Sequence, residues 1–425
     1  MLIELTVSNF RSIRDEQHLN LVAGREKIHQ DSNVFEPEQP IGRKRLRLLR
    51  SAALYGPNAS GKTNLIKALA TMQRMVLTSQ QAQSRLPVVP FLFDLETSRP
   101  TLLEVVILVE GVRYQYGFSA TRERIHDEWL FAFPKGRAQR WFEREFFPDE
   151  AREKFTLGDG LAGDKEVWRR ATRPDALFLS TAVYLNSQQL LPVFNWFRDK
   201  LQITGIGGWS PNLSLEWCQN DNKQRILKFL QAADFGITDL RIEEVAIDPK
   251  RLPSDLPSSI REFLLDEIGE GQGYTLISLH EANDEHKKIR LPFGEESDGT
   301  QKMFNLAAPW LNVLERAQVL FVDELHDNLH PLLVQFLIRF FHSKETNPKG
   351  AQLVFTTHET SILNDEYLRR DQIWFFERDR DQSTRIYPLT KFKLSKGAEN
   401  VAQDYLVGCY GAVPFLENPA EILGS

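Results

Sequence analysis

The stretch Gly56-Pro57-Asn58-Ala59-Ser60-Gly61-Lys62-Thr63 decides the fold class of this chain, and Asn64 follows it directly. The apolar segment 51–55 before it predicts a short buried strand, and the segment 64–70 after it predicts the start of a helix. Glycines let such a loop curl so that successive N–H groups converge on phosphate oxygens, and the helix N-terminus adds partial positive charge. The pattern predicts a nucleoside triphosphate site, with Lys62 on the β- and γ-phosphates and Thr63 on Mg²⁺.

A second motif lies far downstream, where the apolar run 319–322 ends in Asp323 and Glu324. Asp323 is suited to hold Mg²⁺ through water, and Glu324 is suited to polarise the water that attacks the γ-phosphate. A buried strand that happens to end in two acids is the alternative. The phosphate-binding loop upstream favours the catalytic interpretation.

A third motif, 296–301 (Glu-Ser-Asp-Gly-Thr-Gln), precedes a predicted helix with one apolar face. The apolar positions of that helix are Met303, Phe304, Leu306, Ala307, Trp310, Leu311 and Leu314. Ser297 or Asp298 can cap its start, and Gly299 permits close backbone approach. Such a turn is usually an ordinary N-cap. Its place between the loop and the acidic strand instead predicts a second anion site, with Ser297, Gly299 and Thr300 facing a γ-phosphate.

A fourth motif is a predicted strand at 352–357 that leads into His358. A single histidine after a strand is more often structural. Its position after the acidic strand instead favours a switch histidine that contacts the γ-phosphate and reports its presence.

Taken in this order, the four motifs resemble the ATPase head of the ABC superfamily, and within it the RecF and SMC group. The opening segment 1–13 is similar to the strand and Asn-Phe-Arg-Ser turn with which those heads begin. Segments 323–331 and 405–415 further resemble stand-alone bacterial ATPases of the RloA/AbiLii type, which are relatives of the ATPase half of overcoming-lysogenization-defect proteins. His326 stands where many of these relatives carry an acid.

The resemblance implies a function that the composition does not reveal. Heads of this type enclose ATP between two subunits, so Lys62 of one copy and Ser297 of another would serve one nucleotide. RloA-like proteins accompany a small effector of the RloB or TOPRIM type, which implies an ATP-driven switch in anti-phage defence. A RecF-like DNA-repair ATPase remains the alternative. A nuclease is disfavoured, because the chain after His358 is short and carries no clustered acidic motif.

Composition and charge set further limits. The chain has 425 residues, 42% of them hydrophobic, and a net charge of −6. No signal peptide or long apolar run is present in the sequence, so we expect a cytoplasmic protein without a membrane partner. Any nucleic-acid contact would need a local basic patch. The strongest candidate is Arg43, Lys44, Arg45, Arg47 and Arg50, although such runs are usually solvated edges.

The split between the motifs predicts the domain organisation. Residues 1–125 form the first lobe of an α/β, ABC-type P-loop head, and 285–425 form the second. Residues 126–284 form a mainly helical insertion, with helix candidates at 187–203 and 222–234. A hairpin at Glu110-Gly111 predicts an antiparallel sheet beside the mixed nucleotide-binding sheet. A Q-loop glutamine is not identified; Gln80, Gln81 and Gln83 lie in a polar stretch.

Overall fold

A computed structural model of the chain describes residues 1–37, 46–81, 85–94, 99–134, 136–204, 208–246, 272–282, 287–393, 400–415 and 418. The chain divides into two compact units. The first contains Met1–Ile206, Val313–Asp327 and Val334–Ser425, and the second contains Gly207–Asn312 and Asn328–Leu333.

The strands of the described residues are numbered along the chain. They are β1 (Leu2–Ser8), β2 (Gln17–Asn20), β3 (Val34–Phe35), β4 (Leu48–Leu49), β5 (Ser51–Tyr55), β6 (Thr101–Val109), β7 (Val112–Ala120), β8 (Ile125–Phe133), β9 (Gln139–Phe147), β10 (Arg152–Leu157), β11 (Leu201–Thr204), β12 (Ile237–Ala246), β13 (Gln272–Glu281), β14 (Lys288–Pro292), β15 (Val319–Val322), β16 (Gln352–Thr356), β17 (Ile373–Arg378) and β18 (Thr384–Pro388).

The helices of the same residues are numbered in the same way. They are α1 (Lys62–Thr78), α2 (Lys165–Ala171), α3 (Phe178–Tyr184), α4 (Leu191–Asn195), α5 (Asn212–Cys218), α6 (Lys223–Ala232), α7 (Asp298–Glu315), α8 (Pro331–His342) and α9 (Val401–Leu406). None of the helices within the described ranges is both long and apolar enough to cross a membrane.

A mixed sheet of six strands carries three of the four motifs. Its order is β11-β15-β16-β5-β17-β18, and all neighbours are parallel except β17 and β18. Parallel strands deliver their carboxyl ends to one edge of a sheet. The ends of β5, β16 and β15, which lead into the phosphate-binding loop, His358 and Asp323, are therefore neighbours.

An antiparallel sheet of seven strands belongs to the same unit, in the order β10-β9-β8-β7-β6-β1-β2. The predicted hairpin is confirmed, because β6 and β7 are joined by Glu110 and Gly111 with φ of 49° and 77°. Two consecutive positive φ values are typical of the turn that matches strand twist. The sheet shares one apolar core with α1, which buries Leu65, Leu69 and Met72 completely.

This architecture confirms the predicted fold class, an α/β P-loop head in which a mixed sheet is accompanied by an antiparallel one. The predicted strands at 51–55, 319–322 and 352–357 are present, and so is the helix after Ser297. The local signals that predicted them, apolar runs bounded by turn residues, are therefore sufficient at these positions.

The prediction that 126–284 is mainly helical is wrong for a substantial part of that range. Residues 125–157 form β8, β9 and β10 of the antiparallel sheet, so the boundary at 125/126 cuts into β8. Buried and half-buried residues alternate along β8 from Asp127 onward, as expected of a strand. The helix predicted at 187–203 ends earlier, because Leu201–Thr204 is extended and pairs with β15. The helix predicted at 222–234 is α6.

The second unit has its own small sheet. Strands β12, β13 and β14 form an antiparallel meander in sequence order, and α5 and α6 precede it in the chain. Phe293 and Phe304 are buried in this unit, with ring centroids 4.8 Å apart. This contact packs the start of α7 against the segment that follows β14.

Candidate functional site

The phosphate-binding loop begins where β5 ends and closes where α1 begins at Lys62. Gly61 has φ of 104°, and a Cβ at this position would lie 2.1 Å from Oγ1 of Thr384. Gly56 is also enclosed, since a Cβ there would lie 2.4 Å from the carbonyl oxygen of Phe376. The two glycines are therefore required by close approach and, at Gly61, by backbone conformation.

The tip of the loop is reachable from solvent, whereas Ser60 is buried. Asn58 and Ala59 are exposed, and Thr63 and Asn64 are half-buried. Ala59 has φ of 62°, in the left-handed region that a non-glycine residue rarely adopts. The loop thus presents backbone N–H groups and the first turn of α1 at an accessible surface, as an anion site needs.

Lys62 is held within the loop by its own backbone. Its Nζ donates to the carbonyl oxygens of Gly56 at 2.6 Å and Pro57 at 3.0 Å, and the residue is 7% exposed. Burial lowers the pKa of the ammonium to about 8, although the nearby charges of Asp323 and Glu324 oppose the shift. A phosphate that entered the loop would add negative charge beside this buried cation and favour its protonated form.

Thr356 organises the two acids at the end of β15. Its Oγ1 donates to Oδ1 of Asp323 at 2.7 Å and accepts from the backbone N–H of Glu324 at 2.7 Å. Sequence reasoning missed this residue, although it lies two positions before His358. The hydroxyl fixes one carboxylate oxygen of Asp323 and leaves the other for a different ligand.

The second carboxylate oxygen of Asp323 fits a divalent cation. Oδ2 is buried and has no hydrogen-bond partner among the described residues. A buried anionic oxygen without a donor is costly, and Mg²⁺ takes oxygen ligands of this kind. Asp323 therefore fits the metal that the sequence predicts.

Glu324 adopts a conformation that is rare for its residue type. Its φ is 54°, in the left-handed region, and its side chain is half-buried. The N–H of the next residue, Leu325, donates to the carbonyl oxygen of Thr356 at 3.1 Å. Strained backbone of this kind is maintained only where surrounding bonds fix it, and it concentrates at functional sites.

His358 lies against the loop lysine. Its Nε2 is 3.5 Å from Nζ of Lys62, and its ring centroid is 5.4 Å from that of His326. Burial, the charge of Lys62 and the neighbouring His326 together lower the pKa of His358 to about 4. The imidazole is therefore neutral at physiological pH and can accept or donate one hydrogen bond.

A polar network ties the loop to the start and end of the chain. Oγ1 of Thr384 donates to the carbonyl oxygen of Ser60 at 2.9 Å and lies 2.8 Å from Oγ of Ser12. Nδ2 of Asn64 donates to Oγ of Ser12 at 2.7 Å. The sequence predicts Ser12 only as part of the Asn-Phe-Arg-Ser turn in the opening segment, and it predicts no role for Thr384.

In the second unit, the turn before α7 is capped by its own side chains. Oγ of Ser297 accepts from the N–H of Thr300 at 3.2 Å and lies 2.7 Å from Oγ1 of Thr300. A Cβ at Gly299 would lie 3.2 Å from the carbonyl oxygen of Asn328. Ser297 and Asp298 are exposed. The predicted N-cap is confirmed, and its exposure leaves the helix N-terminus open to an external anion.

The polar stretch with Gln80 and Gln81 and the basic run before β5 both make contacts within the chain. The backbone carbonyl oxygens of Gln80 and Gln81, just after α1, accept hydrogen bonds from Arg173 at 3.0 Å and 3.1 Å. In the basic run, Arg50 is 3% exposed and donates to Asn347, while Arg47 donates to Gly24. These two arginines do not form an open basic patch. Gln83 and the residues Arg43, Lys44 and Arg45 lie outside the described residues.

Comparison with known proteins gives a family. Residues 51–364 match the family model described as "AAA domain, putative AbiEii toxin, Type IV TA system". Among the curated proteins no sequence matches the chain.

Several solved structures are similar at low identity. The SMC head domain from Thermotoga maritima is 12% identical in sequence and has a TM-score of 0.39. The match covers 92% of this chain and 99% of that chain. An SMC head bound to the C-winged helix domain of ScpA is 12% identical, with a TM-score of 0.39 over 93% and 98%. The recombination mediator RecF bound to ATP is 12% identical, with a TM-score of 0.32 over 84% and 93%.

Proposed function

This chain belongs to the AAA-domain family whose description names AbiEii toxins and type IV toxin–antitoxin systems, and from this membership we propose that it is an ATP-hydrolysing switch. One observation carries the proposal. Nζ of Lys62, in the phosphate-binding loop, lies 3.5 Å from Nε2 of His358. The nearby charges of Asp323 and Glu324 act to raise the pKa of Lys62. Four residues of three separate motifs therefore converge where a triphosphate would end.

The loop supplies the grip on the nucleotide. Backbone N–H groups of Gly56, 58–61 and the first turn of α1, with Lys62, Thr63 and Asn64, surround the phosphates. Lys62 exchanges its two backbone carbonyl partners for phosphate oxygens. Thr63 and Asp323 hold Mg²⁺, which when bound neutralises charge on the phosphate oxygens.

Glu324 is the residue that orients the attacking water. Its carboxylate follows a strained backbone position fixed by Thr356, so little reorganisation is needed at the moment of reaction. His358, neutral at physiological pH, reports the γ-phosphate by exchanging its contact with Lys62 for one with phosphate oxygen.

The site is completed by a second copy of the chain. The turn with the exposed Ser297, the half-buried Gly299 and the buried Thr300 lies at a helix N-terminus, and in this proposal it meets the γ-phosphate held by the partner. ATP then joins two chains, and hydrolysis releases them. Each pair encloses two nucleotides, as a two-fold arrangement requires.

The family description also supports a proposal for the biological role. We assign the chain to a bacterial anti-phage defence system of the toxin–antitoxin type, in which the ATP-bound assembly controls a separate small effector of the RloB or TOPRIM type. A RecF-like DNA-repair ATPase is the alternative; Arg47 and Arg50 of the basic run bond within the chain, and Arg43, Lys44 and Arg45 lie outside the described residues.

The chemical part of the proposal is tested with three variants of the purified chain. Lys62→Ala should lose ATP binding, because it removes a charge-assisted contact of about 1.5 to 3 kcal/mol or more. Ser297→Arg should bind ATP normally and fail to form the ATP-dependent pair, measured by light scattering after size exclusion. Unchanged ATP affinity in Lys62→Ala, or normal pairing in Ser297→Arg, contradicts the proposal.

The biological part needs cells and DNA. Phage plating is compared on bacteria that carry the wild-type gene or Lys62→Ala, each with and without the neighbouring small gene. Protection that requires both genes and Lys62 supports the switch. Tight, salt-sensitive binding of the purified chain to duplex DNA, without phage protection, favours the DNA-repair alternative.

A further inference from the structure

The turn that carries Ser297 is held in place by a carboxylate that belongs to none of the assigned site residues. Oε1 of Glu296, the residue directly before Ser297, accepts from Oγ of Ser278 at 2.5 Å and lies 2.6 Å from Nε2 of His280. The Glu296 side chain is only 10% exposed, and Ser278 is fully buried. Two hydrogen bonds therefore converge on one nearly buried carboxylate oxygen.

Both partners of this carboxylate lie on β13. Ser278 and His280 are two positions apart, so they project from the same face of the strand. Nε2 of Gln301, in the first turn of α7, donates to the backbone carbonyl oxygen of Glu296 at 2.8 Å. Glu296 is thus fixed through its side chain to the three-stranded sheet and through its backbone to α7.

The two acids that flank Ser297 differ in their surroundings. Asp298 is exposed, whereas the carboxylate of Glu296 is bonded to β13. Bonds to Ser278 and His280 occupy the Glu296 carboxylate on the side of β13. Charge-assisted bonds to a buried carboxylate are stronger than neutral ones, so this geometry is well defined.

We propose that Glu296 is a positioning residue that holds Ser297 in the orientation needed to complete the nucleotide site of a second copy, and that Ser278 and His280 couple the three-stranded sheet to that turn. This inference rests on the proposed function, in which Ser297 acts on a nucleotide bound by another chain. A partner that shifted β13 would then change closure of the pair without touching the nucleotide.

Glu296→Ala tests the inference on the full chain. It should keep ATP affinity within about twofold, because the phosphate-binding loop is unchanged, and should lose ATP-dependent pairing and at least about tenfold in ATP hydrolysis. Glu296→Gln retains an oxygen that accepts from Ser278 and should restore much of the loss. Glu295→Gln changes the exposed neighbouring acid and serves as the matched control with wild-type activity.

Mixing variants separates positioning from general damage. Lys62→Ala lacks the loop cation and Glu296→Ala lacks the positioned turn, so each is inactive alone. A mixed pair has one intact site of two, and neither variant is expected to pair with itself, so an equimolar mixture should regain up to about half of wild-type hydrolysis. A mixture of Lys62→Ala with Ser297→Arg provides the reference.

The outcomes distinguish the two levels of the proposal. The role of Glu296 is refuted if the mixture with Ser297→Arg regains activity and the mixture with Glu296→Ala does not. It is also refuted if Glu296→Ala alone is as active as the wild type. In both cases the shared nucleotide site is not refuted. If the Ser297→Arg mixture regains nothing, the shared site itself is refuted. Should Glu296→Ala fail to fold, Ser278→Ala replaces it, and wild-type pairing by that variant refutes the coupling to β13.

Discussion

The side-chain hydroxyl of Thr356 donates a 2.7 Å hydrogen bond to Oδ1 of Asp323. Because the same hydroxyl oxygen accepts from the N–H of Glu324 at 2.7 Å, one side chain on β16 sets the positions of both acids that end β15. The bond is buried, and Oδ2 of Asp323 stays without a hydrogen-bond partner among the residues described. The geometry of the acid pair thus depends on a neighbouring strand.

Thr356→Val should therefore weaken Mg²⁺-dependent hydrolysis. The substitution keeps the side-chain shape but leaves Oδ1 of Asp323 and the N–H of Glu324 without their partner, at about 1 to 3 kcal/mol for each buried group. We expect hydrolysis to fall at least about tenfold and the Mg²⁺ concentration for half-maximal rate to rise. Thr356→Ser, which keeps the hydroxyl, is the control, and equal rates for the valine and serine variants would exclude this role.

Glu324→Gln should bind ATP and remain paired. The amide keeps the size of the side chain but cannot polarise water as a carboxylate does, so the ATP-bound pair should accumulate instead of turning over. Light scattering after size exclusion, with ATP and Mg²⁺, measures the mass. The double variant Lys62→Ala/Glu324→Gln should stay unpaired, and normal turnover by Glu324→Gln would contradict the role assigned to the carboxylate.

ATP affinity should decrease as the pH rises above about 8. Burial lowers the pKa of the Lys62 ammonium to about 8, so the free chain loses this proton above that pH, whereas bound phosphate favours the protonated form. The dissociation constant should then rise by up to about tenfold per pH unit, with proton uptake on binding that calorimetry detects in buffers of different ionisation heat. Lys62→Arg stays charged and should show no such dependence. A constant affinity between pH 7 and 9.5 in the wild type would contradict the interpretation.

Thr384→Val should loosen the phosphate-binding loop. Oγ1 of Thr384 donates to the carbonyl oxygen of Ser60 at 2.9 Å and contacts Ser12 at 2.8 Å, directly against Gly61. Loss of the hydrogen bond to Ser60, worth about 0.5 to 1.5 kcal/mol, predicts roughly 2- to 13-fold weaker ATP binding, measured by fluorescence titration. Thr384→Ser should bind like the wild type, and equal affinity of all three chains would show that the network does not support the loop.

The sequence predicts the elements whose signals are local. The segment 51–55, the loop and α1 are adjacent in the chain, and the turn at Glu110-Gly111 is specified by residues that tolerate positive φ. The bonds of Thr356 and Thr384 join residues that are distant in sequence, and a threonine in a strand has no distinguishing pattern. The sequence does not predict the strands between 125 and 157, because their period-two pattern is interrupted. In β8, for example, the successive residues His126 and Asp127 are both half-buried.

Acid should destabilise the fold through a histidine outside the nucleotide site. Nε2 of His342 lies 2.8 Å from Oγ of Ser51, the first residue of β5, and the ring is buried. Burial, followed by the positive charges of His29 and Arg50, lowers the pKa of His342 to about 3. The unfolded chain, with an ordinary histidine pKa of about 6.5, therefore binds one more proton than the folded chain between pH 6.5 and 3.

The contribution of His342 to the free energy of unfolding is fully present above pH 6.5 and is lost progressively as the pH falls toward 3. Through this group the free energy of unfolding changes by at most about 1.4 kcal/mol per pH unit. Urea unfolding followed between pH 4.5 and 7.5 measures the slope, and His342→Gln, which cannot titrate, should reduce it by nearly that amount. If the wild type and His342→Gln showed the same dependence of unfolding free energy on pH, His342 would be protonated in the folded state. The neutral imidazole would then not be the form that contacts Ser51.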